Sequence, residues 1–241
     1  MFNILIFTTD DKKILNVIKF VHKNFLKIKI CGLVLNSKIK IKNIRIINSA
    51  KKRNENKIIS FIKKNKINFA ISFQYRWIVS SKILKLLKYG SYNFHLADID
   101  QYKGNHCSIA PILDKRNKVA VTLHKMTNEV DAGSILWKEK FLIDKTETGE
   151  SLLLKLQNKG LIMFKQFLTK LEKNPDFINS IKLKKNNNKG KFISRYKILF
   201  KKKITNIKDI DIKFRAFNFK RHEPAFFYVK KKKYYLFDTP K

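Results

Sequence analysis

Two polar side chains set two residues apart, Asn93 and His95 in the run Ser91-Tyr92-Asn93-Phe94-His95-Leu96, are the first candidates for chemistry. In an extended strand alternate side chains share a face, so amide and imidazole point one way and Tyr92 and Phe94 the other. An imidazole titrates near neutral pH and carries protons, while an amide beside it offers directed hydrogen bonds. That is the start of a catalytic site. Taken alone, an Asn-x-His pair also reads as a core-edge histidine with a satisfied hydrogen bond. Downstream, Glu129-Val130-Asp131-Ala132-Gly133-Ser134-Ile135-Leu136 adds a carboxylate, which alone reads as a turn-capping aspartate before Gly133.

The elements that would position these residues follow from periodicity. Residues 2–7 are a continuous apolar run, the mark of a strand buried on both faces, and Thr8-Thr9-Asp10-Asp11 reads as the cap of a following helix. Ile14, Val17, Ile18 and Val21 recur at helical spacing, and residues 27–34 read as a second strand. This βαβ opening, a further strand at 69–73 and helices near 55–64 and 80–88 predict an α/β fold with a mostly parallel, doubly wound sheet. No G-x-G-x-x-G follows the first strand, so the dinucleotide fingerprint is absent. Residues 38–47 alternate lysine with isoleucine, and 44–47 reads as a short strand. Residues 96–104 read as a loop, 107–114 as a short helix, 119–125 and 134–141 as strands, and about 148–173 as the longest helix. The core is expected over 1–183, a lysine- and asparagine-rich linker over 184–191, and a small β-rich appendage with a hairpin over 192–241. Within that last stretch 207–212 reads as a helix and 215–219 as a strand.

The bulk composition bounds the function. Hydrophobic residues make up 44% of 241, with 20 Phe, enough for a sizeable core and not the profile of a disordered polymer. A net charge of +36 suggests nucleic acid, but the basic residues are nearly all lysine and are spread over every segment. Arginine, whose fork suits base and phosphate, occurs only at 45, 53, 76, 116, 195, 215 and 221. Such a charge still draws a small anionic substrate. Cys31 and Cys107 form neither a disulfide framework nor a metal set, and His22, His106, His124 and His222 lack ligand spacing. Residues 1–7 are too short for a signal segment and no apolar run reaches membrane-spanning length, so a cytoplasmic protein without membrane insertion is expected.

Asn93-x-His95, Tyr102-Lys103-Gly104, Val121-Thr122-Leu123-His124 and Val130-Asp131-Ala132-Gly133-x-Ile135 occur in this order. Over roughly residues 1–175 the chain resembles the 10-formyltetrahydrofolate-dependent formyltransferases. Their cores carry N-x-H, a Y/F-[RK]-G loop, a G-[VA]-T-[IL]-H strand and a D-x-G-x-I turn, with the same gap from asparagine to aspartate. The resemblance implies a Rossmann-like formyltransferase core, 10-formyltetrahydrofolate as co-substrate, no metal, and Asn93, His95 and Asp131 as the catalytic trio. In such a reaction a formyl group passes to a primary amine. Asn93 and a protonated His95 would stabilise the developing oxyanion, the imidazole would take the amine's proton, and Asp131 would orient it. His124, inside a strand, reads as packing. The chain departs from the family in three places. Leu96-Ala97-Asp98-Ile99-Asp100-Gln101 replaces Pro-Ser-Leu-Leu-Pro, Lys103 replaces a common arginine, and Ala120 a common glycine.

Three branches of that family compete. The tail after the core is short for a methionyl-tRNA formyltransferase and surplus for a glycinamide ribonucleotide formyltransferase. Arg215-Ala216-Phe217-Asn218-Phe219 with Glu223-Pro224-Ala225-Phe226-Phe227 looks like the short β-rich tail of the sugar nucleotide formyltransferases. That branch implies a nucleotide-linked amino sugar, of the dTDP-4-amino-4,6-dideoxyhexose type used for surface polysaccharide, and a homodimer. Phe73, Trp77, Ile78 and Gly133 become folate-binding candidates. Tyr75, Arg76, Tyr102, Lys103, Gly104, Arg215, Phe217, Phe219 and Lys220 become substrate-binding candidates, the tail aromatics either stacking a base or packing the hairpin. An inactive α/β core whose basic surface binds RNA is the reading from a different class.

Overall fold

An apolar run has no face to leave in water, and Phe2–Thr8 accordingly forms a fully buried central strand, β1. The computed structural model of the chain describes residues 1–9, 11–35, 41, 44–47, 54–187 and 189–237. Its residues cluster into two compact units. The first comprises Met1–His95, Thr122–Trp137 and Gly160–Asn186, the second Leu96–Val121, Lys138–Lys159 and Asn187–Lys241.

The first unit is built on one sheet. After β1 come α1 (Asp11–Asn24), β2 (Ile28–Val34), β3 (Arg45–Ile47), α2 (Glu55–Lys64), β4 (Phe69–Phe73), α3 (Ser81–Leu84) and β5 (Ser91–His95). With β7 (Lys118–Lys125) and β8 (Ile135–Leu142), which run on into the second unit, the strand order is β3-β2-β1-β4-β5-β7-β8. The pairs β1/β2, β2/β3, β1/β4 and β4/β5 are parallel, and β5/β7 is antiparallel. The chain builds outward from β1 on one side and then returns to place β4 on the other. Thr8 and Phe73, paired at the carboxyl ends of β1 and β4, therefore mark the switch point where open α/β sheets bind ligands.

Alternation along the strands sorts the core. On one face Leu5, Phe7 and Ala70 pack with Ile58 and Ile62 of α2 and Ile83 of α3. On the other, Phe69, Phe73, Tyr92 and Phe94 meet Phe164 and Phe167 of α5 (Gly149–Lys173). The Phe94 and Phe164 rings stack with centroids 4.8 Å apart. Because Tyr92 and Phe94 take this face, Asn93 and His95 must take the opposite one.

The second unit holds β6 (Tyr102–Gly104), α4 (Ile109–Leu113), the first part of α5, β9 (Lys191–Ile193), α7 (Arg195–Phe200), α8 (Ile210–Phe217), β10 (Phe226–Val229) and β11 (Lys232–Tyr235). A short helix, α6 (Phe177–Ser180), follows α5 in the first unit. At the start of α5, Thr148 and Ser151 exchange backbone-to-hydroxyl bonds at 2.9 and 3.2 Å, a reciprocal N-terminal cap.

Several expectations hold: the mostly parallel α/β sheet, the long helix, and the hairpin β10–β11. The hairpin turns on Lys230 and Lys231, both at positive φ (45° and 66°), the twist that a two-residue turn requires even without glycine. Three local readings are corrected. Residues 215–219 are not a strand. Ile212, Ala216 and Phe217 are buried at helical spacing, so burial selects α8, and the helix expected over 207–212 is present as a 3-10 turn, Ile207–Asp209, running into α8. Tyr102–Gly104 is not loop but pairs in parallel with β9. The helix expected over 80–88 keeps regular form only over Ser81–Leu84, capped by Ser80, before turns lead to Gly90 at φ 88°. Of the lysine–isoleucine alternation, residues 38–40, 42 and 43 lie outside the described residues, as do Asp10 of the first cap, Asn188 of the 184–191 stretch and residues 238–241 of the tail.

Truncating Phe164 to alanine removes the ring that stacks on Phe94 beneath the Asn93–His95 strand. The expected cost is about 3–5 kcal/mol, read as a lower denaturant midpoint at unchanged slope.

Candidate active site

The register of β5 against β7 assembles the site. Asn93 pairs with His124 and His95 with Thr122. Cross-strand partners share a face, so the period-2 pattern Thr122-x-His124 projects beside Asn93-x-His95. Asn93 Nδ2 lies 3.0 Å from His124 Nε2. The backbone oxygen of Lys125, which can only accept, lies 2.9 Å from His124 Nδ1, so Nδ1 carries the proton and Nε2 accepts from the Asn93 amide. His124, expected as packing, is therefore a polar member of the site.

Asp131 closes the cluster. Its Oδ2 is 3.5 Å from His95 Nδ1 and its Oδ1 3.4 Å from His124 Nε2. Asn93 Nδ2 also approaches Oδ1, at 3.5 Å. The His95 and Asp131 side chains are only 7% and 10% exposed, so the carboxylate is screened little by water and the His95 imidazole and the Asn93 amide stand in for solvent. With Nδ1 facing the carboxylate, proton exchange with a ligand falls to Nε2 of His95. The long contact from the amide to Asp131 is weak, so that amide hydrogen is the one a ligand oxygen can claim.

Why Asp131 stands there is a backbone matter. Its φ is +48°, in the left-handed region that aspartate tolerates better than most residues. Two residues on, a Cβ at Gly133 would sit 1.7 Å from the Lys125 oxygen, so only glycine lets the turn return against the end of β7. Asn186, buried, donates its amide to the backbone oxygens of Asp131 (3.0 Å) and Gly133 (3.2 Å). The backbone of Lys184 pairs with Ile135 at 2.8 and 2.9 Å. Part of the 184–191 stretch is thus pinned to the carboxylate-bearing turn, a role its lysine- and asparagine-rich texture does not signal.

In the second unit, the stretch that replaces the proline-rich loop is stiffened by charge. The buried Asp98 carboxylate takes Lys138 at 2.9 Å and Lys140 at 3.8 Å, and its backbone oxygen accepts from Gln101 and Tyr102. Lys138 also reaches Asp100 at 2.5 Å. Tyr102 is buried and donates to Asp114 at 3.0 Å; burial, with Asp114 adding to it, pushes its hydroxyl up to about 12. Gly104, at φ +84°, leaves no room for a Cβ, which would meet the Ile193 oxygen at 2.8 Å.

The remaining candidates separate by burial. The Phe73 side chain is wholly in the core, so only its backbone faces outward contacts, while Trp77 and Ile78 are 43% and 59% exposed in the loop leaving β4. Tyr75 packs edge-on between Phe7 and Trp77 at 5.3 and 5.2 Å, and Arg76 is exposed. In the second unit Arg215 lies in the last turn of α8, bonded to Asp211 at 3.1 Å. Phe217 is 1% exposed, so its ring belongs to that unit's core and cannot stack on a base. Phe219 contacts His222 edge-on at 5.7 Å, and the Lys220 backbone donates to Glu150 at 3.2 Å. The structure thus unites Asn93, His95, Asp131 and Gly133 and adds His124 and Asn186. Among the described residues, no three His, Cys, Asp or Glu side chains are grouped to hold a metal ion.

Comparison with known proteins adds a family. Residues 12–168 match the family described as Formyl transferase. The chain is 34% identical over 121 residues to the bifunctional polymyxin resistance protein ArnA of Wigglesworthia glossinidia brevipalpis, covering 50% of this chain and 18% of that protein. It is 26% identical over 142 residues to the GDP-perosamine N-formyltransferase of Brucella melitensis, covering 59% and 53% respectively. The chain thus spans about half the length, or less, of these curated relatives. A solved sugar N-formyltransferase from a Shewanella species shares the fold, with a TM-score of 0.76 at 18% identity over 100% of this chain and 98% of that one.

Two substitutions probe the cluster. His95→Asn is expected to keep the folded circular-dichroism spectrum and to lose about 10²–10⁴ in turnover, the worth of a positioned general base. Gly133→Ala is expected to destabilise the chain by about 1–3 kcal/mol by overpacking against Lys125, and to lower turnover as Asp131 shifts. Thermal melts and a formyl-transfer assay on the same preparations check both.

Proposed function

The chain belongs to the formyl transferase family, and from that premise we propose that it transfers the formyl group of 10-formyltetrahydrofolate to the primary amine of a nucleotide-linked amino sugar. The observation that carries this is the buried cluster of Asn93, His95, His124 and Asp131 on the family's motif order. His95 Nε2 takes the proton of the attacking amine and returns it to N10 of the folate as the bond from N10 to the formyl carbon breaks, Asp131 holds the ring and balances the charge it gains, and the Asn93 amide donates to the developing oxyanion. His124, fixed by the Lys125 oxygen, orients that amide. When bound, the folate supplies the formyl group in activated form. The carboxyl ends of β1 and β4 at the switch point suit it, with Trp77 and Ile78 exposed in the loop leaving β4 as apolar contacts.

An amino sugar is favoured over a tRNA by the likeness in fold to the Shewanella sugar N-formyltransferase and by the relative named for GDP-perosamine. Within that class the acceptor is proposed to be a 4-amino-4,6-dideoxyhexose, on dTDP by resemblance, serving surface polysaccharide (O-antigen) synthesis in the cytoplasm by a homodimer. Among the described residues no helix is long and apolar enough to cross a membrane. The Brucella relative is named for a GDP-linked sugar, so GDP belongs in the test beside dTDP and UDP. Purified protein with 10-formyltetrahydrofolate and a panel of dTDP-, GDP- and UDP-amino sugars is expected to formylate at least one of them. Transfer to charged initiator tRNA alone would overturn the reading, and RNA binding without any transfer would place the chain among inactive binding proteins.

A further inference from the structure

Lys103 is a buried cation without a counter-ion. The residue is 5% exposed, and among the described residues its ammonium has no hydrogen-bond or ion-pair partner. Two positions earlier the Gln101 carbonyl oxygen, Oε1, is sealed from water and also lacks a partner. Burying either group unpaired is costly, most of all the charge, and a native chain rarely does so without a use for it. Along extended chain, residues two apart share a face, so the two orphaned groups address the same space at the start of β6.

The surroundings are built and not accidental. β6 is locked in parallel register with β9, Lys103 opposite Phe192, and the Lys191 amide donates to the Gln101 backbone oxygen at 2.8 Å. Just before β9 the chain passes so close that a Cβ at Gly190 would stand 2.3 Å from the Ile99 oxygen and 3.2 Å from Lys103 Cγ. This close crossing is what buries the lysine stem. The parallel strands then exit together, placing His106 and Arg195 beyond the same end. Burial, then Arg195, His222 and Lys202, hold the His106 imidazole below its usual range, so this end of the unit is electropositive. Acids of this unit are engaged elsewhere: Glu223 with Lys233 at 2.6 Å and Lys202 at 3.6 Å, Asp98 with Lys138 at 2.9 Å, and Asp114 with the Tyr102 hydroxyl at 3.0 Å.

We infer that Lys103 and Gln101 form an anion subsite in the second unit, taking a phosphoryl oxygen on the Lys103 ammonium and an adjacent hydroxyl or amine on Gln101 Oε1. This deepens the proposed function, on which it rests for the source of the anion: the diphosphate of the nucleotide sugar. Inorganic pyrophosphate shares the chemistry without the nucleoside or the sugar.

Binding measured by calorimetry, without any formyl donor, separates the possibilities. The probes are pyrophosphate, a nucleoside diphosphate and a nucleoside diphosphate sugar, each at two salt concentrations. Lys103→Met is expected to weaken the nucleotide ligands roughly tenfold to a hundredfold, the worth of one charge-assisted hydrogen bond. Lys103→Arg is expected to recover most of the loss. Lys57→Met, on exposed helix α2, controls for the general field of a +36 chain and is expected to change nothing. Gln101→Leu is expected to weaken the sugar-bearing ligand more than pyrophosphate. Equal affinity in wild type and a folded Lys103→Met protein for all three probes would overturn the subsite. An effect confined to pyrophosphate would overturn its assignment to the nucleotide sugar. Because no turnover enters these measurements, an absence of formyl transfer would count against the proposed function and leave the subsite standing.

Discussion

The antiparallel pairing of β5 with β7 is the constraint on which the site depends. The pairs β1/β2, β2/β3, β1/β4 and β4/β5 are parallel and send their carboxyl ends one way; β7 runs back along β5 and brings Thr122 and His124 beside His95 and Asn93. The chain then turns and returns so closely at Gly133 that no side chain fits, and Asp131 rides on that turn. A carboxylate this little exposed needs partners, and here they are the His95 imidazole and the Asn93 amide, the latter oriented by His124. Were β7 shifted by one residue, His124 and Thr122 would face α5 and the Asn93 amide would lose its acceptor.

Rigidity around this cluster comes from several sources. Aromatic stacking of Phe94 on Phe164 fixes the far face of β5. The left-handed backbone at Asp131 is uncomfortable by itself and persists because Gly133 and Asn186 over-determine the turn. The chain leaving His95 lacks the prolines that stiffen such loops elsewhere, and buried Asp98 with Lys138 supplies the stiffness through charge.

The chain's large positive charge acts at two levels. Among the described residues most lysines are exposed and contribute a diffuse field that raises the local concentration of anions without choosing among them. Selection needs cations that are desolvated and oriented. Lys103 is 5% exposed and, among the described residues, pairs with no acid.

The sequence by itself determined the α/β class, the buried strand β1 and the polar pair Asn93-x-His95 at period 2, because continuous apolar runs and alternation are local consequences of burial. Asn93, His95 and Asp131 were legible through the order and spacing of their motifs. His124 was not, although Thr122-x-His124 repeats the pattern of Asn93-x-His95, since only strand register says which two faces meet. Asn186 was hidden for the same reason: 53 residues separate it from the turn it holds, and its local texture is that of a solvated loop. Alternation in 215–219 suggested a strand, but the tertiary burial of Ile212, Ala216 and Phe217 chose a helix and took Phe217 into the core. Local chemistry is written residue by residue. Which side chains share one water-poor space is decided by long-range pairing, because burial and register are properties of the folded chain.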